Sequence, residues 1–81
     1  MKRSDMNFKS ISDLGLVSAL MTLGYSPHDR NKEGRRVTFI FETNDEIERI
    51  EKDFFNNRLD VDARTFHSTM KSVKNSIYRK E

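Results

Sequence analysis

No cysteine occurs in the 81 residues, so the chain can build no disulfide, thiolate nucleophile or cysteine metal site. Glycine is scarce, and Gly15, Gly24 and Gly34 are too scattered to form a phosphate-cradling loop. The longest apolar-leaning run, Leu14 to Leu23, is broken by Gly15, Ser18 and Thr22. A membrane span needs about 20 apolar residues, so no membrane association is expected. Lys2 and Arg3 have no apolar stretch behind them, which argues against a secretory signal and makes the cytoplasm the expected compartment. His28 and His67 fall on separate elements without clustered carboxylates, and Asp60 and Asp62 alone are too few for a calcium loop. Ser10, Ser12 and Asp13 have no activating base beside them. No enzymatic activity, cofactor or metal is therefore expected.

What is present is enough for one small domain. The aliphatic and aromatic residues suffice for a single core, while 35% charged residues keep the exterior soluble. A monomer or a homodimer is expected, since association is a common source of extra burial for a chain this short. The formal charge of +2 says little; its distribution says more. Residues 44–60 hold Asp45, Glu46, Glu48, Glu51, Asp53 and Asp60 against Arg49, Lys52 and Arg58. Residues 62–81 reverse the balance, with Arg64, Lys71, Lys74, Arg79 and Lys80 against Asp62 and Glu81. Residues 28–36 add Arg30, Lys32, Arg35 and Arg36 against Asp29 and Glu33. Segregation of this kind steers charged partners.

The predicted layout is an N-terminal arm over 1–10 followed by a single α+β domain over 11–81. A first helix reads from about Ser12 to Leu23, with Ser10 and Asp13 as a capping box or Ser12 as the competing N-cap, and Gly24 closing it. Apolar residues surround most of its circumference, which makes it the central helix. Val37, Phe39 and Phe41 alternate with Arg36, Thr38, Ile40 and Glu42, a period of two that predicts a strand with its first set inward. Gly34 supplies the turn before it. The partner strand is expected over Tyr25–Arg30, irregular because Pro27 has no amide donor. Thr43 opens a second helix with Glu46 as its capping mate, and Ile47, Ile50, Phe54 and Phe55 mark its buried side. Asn56 and Asn57 end it. Asp60 or Asp62 caps a third helix over roughly 62–79, where Phe66, Met70, Val73 and Ile77 form an amphipathic stripe. Helix, hairpin, helix, helix is a small α+β architecture with a two- or three-stranded antiparallel sheet.

The runs FKSISDLGLVSALMTLGY, GRRVTFIFE and DFFNNRLDVDARTFHSTMKSVKNSIY resemble a family of small uncharacterised proteins found in phages, prophages and archaeal viruses. The resemblance spans nearly the whole chain and rests on Ser12–Leu14, Gly24, the V-T-F-I-F strand and the spacing of Phe66, Lys71 and Tyr78. These are mostly core and capping positions, so it implies a fold and brings no catalytic residues with it. The sequence departs from the family at Tyr25–Arg30, where the family tends to be more apolar.

At 100° per residue, Arg64, His67, Lys71, Lys74 and Tyr78 fall within about 80° of one another on the third helix. A basic face with interleaved rings suits phosphate contacts and stacking on an exposed base. Arg35 and Arg36, with Arg30 and Lys32 nearby, place further charge at the hairpin tip, where it can grip a phosphate backbone or guard a sheet edge. The expected function is a non-enzymatic, phage-type accessory protein that binds DNA or RNA through these residues. The alternative is a modulator or inhibitor of a host protein, such as an anti-defence protein, acting through Asp45, Glu48, Glu51 and Lys52 on the acidic second helix.

Overall fold

Residues 7–78 are described by the structure, a computed structural model. In chain order they form β1 (Asn7–Ile11), α1 (Leu14–Thr22), β2 (Asp29–Glu33), β3 (Arg36–Thr43), α2 (Asp45–Phe55) and α3 (Ala63–Tyr78). The strands make one antiparallel sheet in the order β1-β3-β2. An α+β domain with a three-stranded sheet is thus present, as the sequence predicts.

β3 lies in the middle because it alone alternates cleanly. Val37, Phe39 and Phe41 are buried beneath the helices, while Thr38 and Ile40 are half-buried on the opposite face. Ile40 shares that outer face with Phe8, whose ring lies 4.9 Å from that of His28. The inner residues, together with Ile11, Leu16, Val17, Leu20, Ile47, Ile50 and Val73, form one core cluster. α1 is central to it, packed against α2, α3 and β1. No helix among the described residues is long and apolar enough to cross a membrane.

Several expectations need correction. Residues 7–10, assigned to an arm, belong to β1, where Phe8 pairs with Glu42 and Ser10 with Ile40. Only Ile11 of this strand is buried, so its sequence carries no alternating signal. The flank of β3 and the clamp on Lys9 by Glu48 and Glu51 of α2 hold it in place. β2 also lies further along than Tyr25–Arg30, beginning at Asp29, with Pro27 left in the preceding loop. The His28 amide already donates to the Ile40 carbonyl at 2.7 Å. β2 is wholly exposed and polar, and the two-residue loop of Gly34 and Arg35 sets its pairing. Gly34 has a φ of 61°, the left-handed backbone that a type II′ hairpin requires at its first loop position. Residues 1–6 of the expected arm, and Arg79, Lys80 and Glu81 of the expected basic segment, lie outside the described residues.

The helix starts move by a residue or two for one shared reason. Ser10 and Thr43 are taken up by strand pairing, so neither caps a helix. Asp13 Oδ1 accepts instead from the Leu16 amide at 3.0 Å to cap α1. Asn44 Oδ1 accepts from the Ile47 amide at 2.8 Å to cap α2. Both are strong N-cap residues. Asp62 caps α3 as expected, accepting from the Thr65 amide at 2.9 Å and the Thr65 hydroxyl at 2.7 Å. These two bonds, the hydroxyl's first, hold the Asp62 carboxyl below its ordinary pKa. Gly24, at a φ of 105°, closes α1 as its position suggested. At the edges of the core, Leu23 is 41% and Phe55 57% exposed. Leu23 has already turned out of α1 as its C-cap, and Phe55 ends α2 edge-on to the half-buried Phe54.

Candidate nucleic-acid interface

α3 carries Arg64, Lys71 and Lys74 and no carboxylate over its sixteen residues. Its amphipathic spacing turns Val73 into the core and packs Ile77 against it. Arg64, His67, Lys71, Lys74 and Tyr78 are all exposed, as a face set beside the apolar stripe must be. Among the described residues, the Lys and Arg ion pairs are those of Lys9 with Glu48, at 3.0 Å, and with Glu51. The cations of α3 and of the hairpin tip thus make no ion pair among the described residues, although Glu33 stands opposite Arg36 in the sheet.

The hairpin meets α3 at its last turn. The Arg30 guanidinium donates to the Ser76 hydroxyl at 3.0 Å, and that hydroxyl donates in turn to the Val73 carbonyl at 2.9 Å. Two depressions of about 300 Å³ each open along the junction. Ser12, Leu14, Arg35, Arg36, Val37, Ile77 and Tyr78 line the first. Lys32, Gly34, Arg35, Ile77 and Tyr78 line the second.

Of the residues singled out in the sequence, the fold brings Arg35, Arg36 and Tyr78 to one seam. Lys74 and Lys71 continue from it along the same face, one and two helical turns back. Arg64 and His67 are not brought to the seam: Arg64 lies about 21 Å from Tyr78 along the helix axis. Arg30 and Lys32 do not sit at the loop itself, because they pair with Phe39 and Val37 inside β2. Arg30 is engaged by Ser76, whereas Lys32 lines the second depression. The sequence places Lys32 in the basic cluster beside Arg35 and Arg36, and the fold sets it against the same depression as Arg35.

The acidic surface is organised differently. Hydrogen bonds from Lys9 and Thr43 hold the Glu48 carboxyl below its ordinary pKa, and Glu51 and then Glu48 raise that of Lys9. Glu48 and Glu51 thus spend their charge tying β1 to α2. Among the described residues, no group of three or more His, Asp or Glu is placed to hold a metal ion.

A model of a family described as a domain of unknown function, DUF5659, matches residues 6–79. The chain belongs to the DUF5659 family. No curated protein and no solved structure matches it. The DUF5659 match takes in all six elements and hence the whole seam between hairpin and α3. The match bears out the resemblance to an uncharacterised family over nearly the whole chain; it carries no phage or viral origin and assigns no activity.

Proposed function

We propose that this DUF5659 chain is a non-enzymatic accessory protein that binds nucleic acid through α3 and the hairpin tip. One observation carries the reading: Arg35 and Arg36 line one depression with the exposed Tyr78, and the exposed Lys74 and Lys71 lie one and two turns back from Tyr78 along α3. Phosphate contacts from Lys and Arg supply most of the affinity in such complexes. Exposed cations that make no ion pair among the described residues are the groups that supply them. The phage-type role implied by the sequence resemblance belongs to this reading. A basic protein partner on α2 has weaker support, because Glu48 and Glu51 already hold Lys9.

Fluorescence anisotropy with labelled single- and double-stranded oligonucleotides tests the proposal. Binding is expected at about 50 mM salt and should weaken steeply as salt rises. No binding at that salt, or binding indifferent to it, would contradict the proposal.

A further inference from the structure

We infer that the seam takes an unpaired base of a single strand, stacked on the ring of Tyr78; this rests on the nucleic-acid reading above. Tyr78 is 72% exposed, the most exposed of the large apolar side chains among the described residues. It lines both depressions at the hairpin tip and also a wider one, of about 540 Å³, bounded by Ser72, Asn75 and Ser76. The ring therefore stands between arginines on one side and small polar side chains on the other. This is the composition of a base platform: a π-face, cations for the flanking phosphates, and hydroxyl and amide groups that can reach a base edge.

A duplex cannot use that platform, because its bases present only their edges and keep their faces stacked. The depressions at the tip are at the small end of ligand-site volumes, a size suited to one planar group and not to a helix. From Tyr78 the strand would run back along α3, its phosphates meeting Lys74 and Lys71. His67 offers a second ring about 16 Å further along the axis. The outer face of the sheet is less suited to the same task, although it holds the rings of Phe8 and His28. Asp29, Glu33 and Glu42 share that face with a single cation, Arg36, and would repel phosphate.

The chain has two tyrosines and no tryptophan. Tyr25 is half-buried against the core, so the quenching that Tyr78→Ala removes is the part that reports on Tyr78. The experiment titrates the protein with an oligothymidylate of about twelve nucleotides and with a duplex of the same length, following emission and anisotropy together. The single strand is expected to bind more tightly and to quench. Tyr78→Ala should abolish the quenching and lower affinity about 5- to 100-fold, with the salt slope and the circular dichroism of the parent. Tyr78→Phe should retain both affinity and quenching. Equal binding of the two forms without quenching would overturn the stacking inference and leave nucleic-acid binding standing. Failure of both forms to bind at low salt would overturn both.

Discussion

Arg30 and Ser76, 46 residues apart in the chain, meet through a guanidinium–hydroxyl hydrogen bond of 3.0 Å. That bond holds the β2–β3 hairpin against the last turn of α3 and so brings two separately basic segments to one place. Ser76→Ala removes the acceptor without altering any charge. The lost bond contributes about 0.5–1.5 kcal/mol, and alanine's better helix propensity offsets several tenths of it. Stability should therefore change by less than about 1 kcal/mol. Amide exchange at Arg35 and Arg36 should quicken, and oligonucleotide affinity should fall with the salt slope unchanged. Parental exchange and affinity in this variant would show that the bond does not position the tip.

Phe39→Ala should leave the protein largely unfolded by circular dichroism, while Arg36→Ala should leave the melting temperature nearly unchanged. Phe39 is buried in the middle of β3, whereas Arg36 is exposed at its start. Truncating a buried phenylalanine costs about 3–5 kcal/mol, against a total of roughly 5 kcal/mol or somewhat more for so small a domain. A Phe39→Ala protein that melts like the parent but no longer binds would make the strand a recognition surface instead of a scaffold.

Ser18→Ala should stabilise the fold. Ser18 is fully buried in α1, and its hydroxyl has no hydrogen-bond partner among the described residues. A buried, unpaired polar group costs about 1–3 kcal/mol, and alanine is also the better helix former. Each kcal/mol gained should raise the melting temperature by about 4–8 °C. A lower melting temperature would mean that the hydroxyl is satisfied after all.

Acid should weaken the protein through Glu48 and Asp62. Both carboxyls are held below their ordinary values of 4.5 and 3.8, Glu48 by Lys9 first and Asp62 by the Thr65 hydroxyl first. A group depressed in the folded state adds stability at pH values above its unfolded pKa and loses that contribution as pH falls through its folded pKa. Urea melts should therefore show stability declining below about pH 4.5. Glu48→Gln should start less stable than the parent and decline less steeply over that window. An acid limb identical to the parent's would mean that the Lys9 clamp contributes nothing.

How far the chain can be read without its structure depended on whether the cause of each element is local. The alternation through Val37, Phe39 and Phe41, the Phe66-to-Ile77 stripe and the Asp62 cap are written in neighbouring residues, and all were visible. β1 and β2 were missed or displaced because strand pairing defines them, and DRNKE has no apolar residue to give it a face. Ser10 and Thr43 look like caps until pairing draws them into the sheet. The charges of the candidate interface could be counted in the same way. Their meeting at Tyr78 could not, because it depends on how α3 packs on α1 and meets the hairpin across the fold.

The most direct test of the proposed interface is the salt dependence of oligonucleotide binding in the parent and in Arg35→Ala, Lys71→Ala and Lys74→Ala. All three side chains are exposed, so each variant should keep the parental circular dichroism. With Arg35, Arg36, Arg64, Lys71 and Lys74 all engaged, the slope of log affinity against log salt on a single strand should approach about −3.5, and each variant should make it shallower by about 0.7. A parental slope near zero, or a steep slope that none of the three substitutions alters, would contradict binding at this surface.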